Sequence, residues 1–449
     1  MYWISKAIHR VGRLKRRWAV LLAVLGPGII TMVADNDAGG ISTYAQTGAK
    51  TGFSLLWVFL ILVPMVFYVQ EMTVRLGAVT KRGHAEAVFD SFGPFWGWFT
   101  IFVLVLINWL TLVTEYIGMT QAMRLFQIPE WVTIVAVSLL LMGIVVSGKY
   151  WTFERITLVF CLFNMIYIPA AIWAMKTGNV AEGWAAVGRG FVWPDWGGEG
   201  NKAILAGGGL VTLVMANIGT TVTPWQIYFQ QSAVVDKGMD IKDMAFGKID
   251  TLFGALLTCA VGAFIVITTA AVFYFHPEGA ISIESAAQAA KEMPSVMSGT
   301  WGPWARVFFA IGLFDAGLLG ALCISLATSW SLGEVFGWAH SLNKSVREAP
   351  WFYVAYLLML FSAGAVSLIT STRVEDHITI IVQVVAVTLL PCTLVFLLLM
   401  LNDKGIMGEH VNTRWQNIAN GSIVVFVIGM SCVFALSELF PGLFKFAGR

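Results

Sequence analysis

The sequence predicts an all-α integral membrane protein, and three observations predict it. Of the 449 residues, 58% are hydrophobic and only 12% are charged, against about 25% charged in a soluble domain. Apolar runs long enough to cross a bilayer, about 20 residues or more, recur along the whole chain. These runs are too long, and too poor in period-two alternation, for a transmembrane β-barrel.

Eleven spans are expected in order, at about 18–49, 53–77, 97–123, 131–148, 155–176, 204–233, 250–275, 304–335, 351–370, 377–401 and 417–441. They form a single transmembrane domain over 1–449, with five spans in 18–176, five in 204–401 and an additional one at 417–441. The longest connections are 177–203, rich in Trp and Gly, and 276–303, whose "SIESAAQAAKEM" has the pattern of a short helix of small residues. The other linkers are short and polar, as compact bundles prefer.

Basic residues set the orientation. With the N-terminus inside, 18 of the 28 Lys and Arg lie on the cytoplasmic side and 10 outside, which follows the positive-inside rule. The cluster Lys6, Arg10, Arg13, Lys15, Arg16 and Arg17 carries the strongest vote; topology alone explains it, although an amphipathic juxtamembrane helix would use it too. A multi-pass protein of the plasma membrane is expected, N-terminus cytoplasmic and C-terminus outside. No cleavable signal peptide is expected, because the first apolar run is too long and no small-residue cleavage site follows it. The net charge of +2 carries no nucleic-acid signal. The five cysteines, Cys161, Cys259, Cys323, Cys392 and Cys432, stand singly in apolar spans and read as small core residues, neither disulfide framework nor thiolate metal site.

Two spans are interrupted. The first contains "ADNDAGG" (34–40), with two aspartates and two glycines at mid-span; the sixth contains Gly219, Thr220, Thr221 and Pro224 within "GTTVTPWQIYFQQSA". One such segment would read as a kink. Two, five spans apart, point to a five-plus-five repeat, and an odd number of spans per half makes the second half inverted. Unwound backbone at membrane depth must line a cavity or pack in protein.

An ionised Asp at the bilayer centre costs about 2.5–3.5 kcal/mol even on lenient scales. Asp37 is followed by "AGG", which frees carbonyl oxygens, and a carboxylate beside free carbonyls outlines a site for a hard cation; the alternative is a carboxylate bonded to the free amides of the broken helix. Asp35 is either structural or pathway-lining. Glu71, Glu115 and Asp315 are expected to meet polar backbone or line a vestibule rather than bind substrate. Gln383 either supplies an oxygen to a central site or joins helices. The six histidines (9, 84, 276, 340, 377 and 410) fall in loops or at helix ends, so no His or Cys cluster is present for Zn²⁺ or Cu⁺. No P-loop occurs, which excludes an ATP-driven pump.

These segments resemble the NRAMP divalent-metal transporters. "GPGIITMVADNDAGGISTYAQTGAKTGFSLLW" from Gly26 is similar to the family's first helix, "RLGAVT" (75–80) to the stretch after its second, "GTTVTPWQIYFQQSA" to its sixth and "QVVAVTLLPCTL" to its tenth. The resemblance spans about 18–401 and implies the leucine-transporter fold, with helices 1 and 6 unwound. It carries the metal ligands onto Asp37, Thr223, Gln383 and the carbonyls of Ala34 and Thr220.

The departures are as informative. The family's Asp-Pro-Gly-Asn falls on Asp37-Ala38-Gly39-Gly40, so its asparagine ligand becomes Gly40. Its Met-Pro-His falls on Thr223-Pro224-Trp225. A second histidine falls on Gln230, and an aspartate of the proton path on Leu112, while the glutamate partner stays as Glu115. Losing the thioether leaves oxygen ligands, which hard cations prefer. Losing the asparagine enlarges the site, which suits Mg²⁺, an ion that keeps several waters; Ca²⁺ would want more oxygens.

The expectation is therefore a transporter, not an enzyme, that takes up Mg²⁺ and also Mn²⁺ by alternating access without proton coupling. The metal is substrate and no cofactor is expected; the partners are the ion and the lipid bilayer, with oligomeric state open. The runner-up is a proton-coupled Mn²⁺/Fe²⁺ symporter, against which the missing Met and His count. An intramembrane aspartyl protease would need a Gly-x-Gly-Asp motif, which is absent. An amino-acid transporter of the same fold is disfavoured by Asp37.

Overall fold

The computed structural model describes residues 26–192, 209–297, 301–370 and 372–439, and no β-strand occurs among them. The basic N-terminal cluster, His9 and the core of the Trp- and Gly-rich connection fall outside the described residues.

The first span is two helices, α1 (Pro27–Val33) and α2 (Ala38–Thr51), separated by residues 34–37. Pro27 starts α1 where its missing N–H costs nothing. Asp37 starts α2, its side chain accepting the Gly40 N–H. Then come α3 (Leu56–Thr80), the short α4 (His84–Phe92), α5 (Pro94–Arg124) and α6 (Glu130–Val146). The fifth span is α7 (Tyr150–Phe163) and α8 (Tyr167–Thr177), joined by one 3₁₀ turn. After α9 (Trp184–Val192), the sixth span is again broken, into α10 (Gly209–Thr221) and α11 (Pro224–Lys237). The remainder is α12 (Met244–Thr269), α13 (Ala286–Val296), α14 (Trp301–Phe336), α15 (Pro350–Ile369), α16 (Thr372–Asn402), α17 (Lys404–Met407) and α18 (Arg414–Leu439).

Among the described residues, eight helices are long and apolar enough to cross a membrane; Glu130–Val146 is apolar but shorter, and the first and sixth expected spans are the two broken ones. Large apolar side chains such as Phe102, Leu139, Leu162, Leu358 and Val425 stand exposed on the outer surface, as a multi-pass protein in lipid requires. The "SIESAAQAAKEM" helix is present as α13, with Ser285 accepting the Gln288 N–H. All five cysteines are free. Cys161, Cys259 and Cys323 are buried, but Cys432 on α18 is exposed, contrary to the core reading, because α18 packs at the edge of the bundle.

Packing partners come in equivalent pairs when each span is exchanged with the one five later. The first span packs on the seventh (α1 and α2 on α12), as the sixth packs on the second (α11 on α3). The first touches the fifth (α1 on α7), as the sixth touches the tenth (α10 on α16). The third touches the tenth (α5 on α16), as the eighth touches the fifth (α14 on α7 and α8). Third on eighth (α5 on α14) and fourth on ninth (α6 on α15) are their own equivalents. Two five-span halves give this pattern.

Both ends of the broken first span are tied down. Asp250 on α12 accepts N–H groups of Gly26 at 3.2 Å, Gly28 at 2.7 Å and Ile29 at 3.3 Å, so a buried carboxylate caps the positive end of α1. At the other end Ser42, Gln46 and Lys50, one turn apart along α2, meet the segment that leads into α13: Ser42 accepts the Ala286 N–H, Gln46 donates to the Glu284 carbonyl and Lys50 pairs with the Glu284 carboxylate at 2.8 Å. The break at 34–37 is therefore held at the centre of the bundle.

Candidate metal site

The two breaks free main-chain oxygens for different reasons. In an unbroken helix the Thr220 carbonyl would accept from residue 224, but Pro224 has no N–H to give. The Ala34 carbonyl would accept from Ala38, but that N–H donates instead to Glu115 Oε2 at 2.9 Å. Glu115, 77 residues away on α5, thus keeps the first span open. Thr223 starts α11, its own N–H bonded to Gln226 Oε1 at 3.2 Å.

Around these oxygens four of the expected residues converge. Asp37 Oδ1 accepts from the Gly40 N–H at 2.6 Å and lies 3.5 Å from Gln383 Nε2. A methyl group on Gly40 would sit 2.8 Å from Thr220 Oγ1, 3.2 Å from the Asp35 carbonyl oxygen and 3.3 Å from Asp37 Oδ1. Gly40 is thus the floor of a notch between the two breaks. Thr220, expected to contribute its carbonyl, also turns its hydroxyl into that notch. Ala34 and Thr223 sit at the breaks themselves, and the buried Thr223 forms a capping box with Gln226 at the start of α11.

Sequence reasoning missed two glycines. A methyl group on Gly39 would meet Gln383 Nε2 at 2.2 Å, and one on Gly320 would meet Glu115 Oε2 at 2.8 Å and Asp37 Cβ at 3.1 Å. The run "AGG" was a signal for Gly39; nothing in the sequence ties Gly320 to the first span.

Asp37, Gln383 and Thr220 are 0% exposed and Thr223 is 1% exposed, so the site is closed to solvent. Its chemistry is set by what is left unpaired. Asn36 Oδ1 and Gln383 Oε1 are buried acceptors without a hydrogen bond, joined by the Thr220 hydroxyl and by the Asp35, Asp37 and Glu115 carboxylates, which no cation pairs among the described residues. Each orphan costs about 1–3 kcal/mol, more if charged. Such a concentration of acceptors calls for an occupant that is positive or presents only donors. No group of three or more His, Cys, Asp or Glu able to hold a metal occurs among the described residues, so neutral oxygens would have to complete any coordination.

The other acidic residues are placed elsewhere. Glu71 pairs with Arg75 at 3.2 Å and Lys248 at 2.9 Å; it is ion-paired rather than set against polar backbone, because Arg75 lies one turn on and α12 supplies the lysine. Asp315 accepts from Asn164 Nδ2 at 3.0 Å. Where the resembling family has titratable groups, Trp225 is fully buried with its ring centroid 6.1 Å from that of Phe229, Leu112 is fully buried, and Gln230 Nε2 donates to Thr251 Oγ1 at 3.4 Å.

Residues 28–437 match the family model described as natural resistance-associated macrophage protein-like, Nramp. The chain belongs to the Nramp family. That family consists of membrane transporters rather than enzymes, and a metal ion is cargo, not cofactor. This Nramp chain is 25% identical over 443 residues to a divalent metal cation transporter MntH from a Nostoc species, covering 95% of this chain and 94% of that protein. It is 22% identical over 465 residues to the metal transporter Nramp3 of Oryza sativa, covering 97% and 80%. Among solved structures it resembles the Eremococcus coleocola manganese transporter, with a TM-score of 0.76 at 20% identity over 96% of this chain and 90% of that one. It also resembles MhsT in complex with L-phenylalanine, with a TM-score of 0.61 at 15% identity over 91% and 98%. These likenesses establish the leucine-transporter fold.

Proposed function

We propose that this Nramp protein takes up a divalent cation across the plasma membrane by alternating access, with Mg²⁺ as its main cargo, Mn²⁺ as a second, and no proton transported alongside. The observation that carries this reading is the set of buried, unpaired acceptor atoms around the Gly40 notch. A cation that keeps its waters presents only O–H donors outward, and that surface is complementary to acceptors. Mg²⁺ dehydrates reluctantly and is held through one or two carboxylates plus retained water. Asp37 supplies the principal charge; the Thr220 and Thr223 hydroxyls, the freed carbonyls of Ala34 and Thr220, and the Gln383 amide oxygen complete the set. Gly40 contributes room.

Proton transport needs titratable groups along a path beside the cargo. Trp225, Gln230 and Leu112 offer none, which favours this reading over a proton-coupled Mn²⁺/Fe²⁺ symporter. An inside-negative potential supplies about 2.3 kcal/mol per charge per 100 mV, twice that for a divalent ion, so influx needs no further driving force. In the orientation proposed here, N-terminus inside and C-terminus outside, α1 and α11 face the cytoplasm and α2 and α10 the exterior. Opening then means releasing either the Asp250 cap on α1 or the Lys50–Glu284 closure on α2.

The test is substitution of the soft ligand back into the site. In proteoliposomes of the purified protein, Thr223→Met is expected to shift the Mn²⁺ over Mg²⁺ preference in kcat/KM by about ten-fold toward Mn²⁺, since a thioether favours the softer ion. An unchanged preference would remove Thr223 from the site.

A further inference from the structure

Buried carboxylates elsewhere in the described structure have partners. Glu71 has Arg75 and Lys248, Glu154 has Lys237, Asp250 has three N–H groups of the first span, and Asp315 has Asn164. Asp37 and Glu115 each have a main-chain N–H on one oxygen. Asp35 differs. It is 0% exposed, and the neutral Gln226 amide is its hydrogen-bonding neighbour; no cation and no main-chain N–H pairs with its carboxylate among the described residues. The groups in electrostatic reach include another carboxylate, Asp37, together with Tyr44 and Cys259; none of these is a cation.

Its position matches that need. Asp35 stands in the break, two residues before Asp37, and its carbonyl oxygen faces the Gly40 notch at 3.2 Å from where a methyl group would be. The neighbouring Asn36 Oδ1 is also buried and unpaired. Two carboxylates this close, in a medium of low dielectric constant, repel strongly unless positive charge lies between or beside them. A single carboxylate is neutralised by a monovalent cation; a pair is matched by a divalent one.

We infer that Asp35 is the second anionic ligand of the transported cation, holding its water shell and matching its double charge. This inference rests on the reading of a cation site at Asp37. It assigns recognition of charge to Asp35 and Asp37 together, and recognition of size and hydration to Gly40, Thr220 and Gln383.

The test uses the full chain, with Mg²⁺ binding followed by calorimetry in detergent and uptake followed in proteoliposomes. Asp35→Asn is expected to raise both the Kd and the KM for Mg²⁺ by about ten-fold or more, and Asp35→Glu to recover most of that loss. Wild-type Kd and KM in Asp35→Asn, beside lost binding in Asp37→Asn, would overturn the assignment and leave the Asp37 site standing. If the wild type carries Mn²⁺ and excludes Mg²⁺, the cargo reading fails, and the same comparison run with Mn²⁺ still decides the role of Asp35. Should Asp35→Asn not fold, anomalous scattering from Mn²⁺ soaked into crystals of the wild type decides. An ion within about 5 Å of the Asp35 carboxylate, one water away, supports the assignment, and an ion beyond that reach overturns it.

Discussion

Replacing Asp37 by alanine is expected to abolish divalent-cation uptake, with a fall of at least about 100-fold in kcat/KM. The carboxylate belongs to a fully buried site in which every other protein ligand proposed to touch the ion directly is neutral, Asp35 acting through water. Removing one partner of a buried charge pair costs about 3–5 kcal/mol, and each 1.4 kcal/mol is ten-fold. The alanine also removes the acceptor for the Gly40 N–H, a cap worth about 1 kcal/mol. That is too little to unfold a helix packed on α5, α10 and α12. Thermal unfolding in detergent should therefore shift by a few degrees while uptake disappears. Loss of uptake with a collapse of the folded protein would instead make Asp37 a structural carboxylate.

Gly40→Ala is expected to separate transport from stability more sharply still. Alanine is intrinsically better in a helix than glycine by about 1 kcal/mol, so the first turn of α2 gains. The added methyl, however, lands 2.8 Å from Thr220 Oγ1 and 3.3 Å from Asp37 Oδ1. Overpacking of this kind costs about 1–3 kcal/mol, and here it is borne by the notch that the ion and its waters would occupy. Mg²⁺ uptake should fall by about ten-fold, with the melting temperature unchanged or lowered by only about a degree or two. Mn²⁺, which sheds water more readily, should lose less. Equal losses for the two ions would mean that Gly40 acts on the helix and not on the hydrated cargo.

Much of this architecture was legible because lipid imposes simple rules. A span must be long and apolar, so hydropathy located the eight long helices that qualify as spans among the described residues. A break must be marked by residues that cannot continue a helix, so "DAGG" and Thr-Val-Thr-Pro disclosed both interruptions. Interaction across the bundle was not legible, because it depends on which faces meet. The Glu115 side chain that takes the Ala38 N–H is 77 residues away, and the Asp250 cap on Gly28 is 222 away. Composition gave Glu71 no partner, yet Arg75 lies one turn along the same helix and was readable as an i, i+4 pair. Thr220 shows the same boundary: its place at the break was evident, but only the fold turns its hydroxyl toward Gly40.

The most direct test of the central claim records uptake and proton movement together. Purified protein is reconstituted with an inside-negative potential and an internal pH dye, and Mg²⁺ and Mn²⁺ influx are compared for the wild type and Asp37→Ala. Saturable Mg²⁺ influx without internal acidification, abolished in the variant, is the expected result. Mn²⁺ influx accompanied by acidification, with Mg²⁺ excluded, would contradict it and show that Gly40, Thr223 and Trp225 leave a proton-coupled transition-metal mechanism intact.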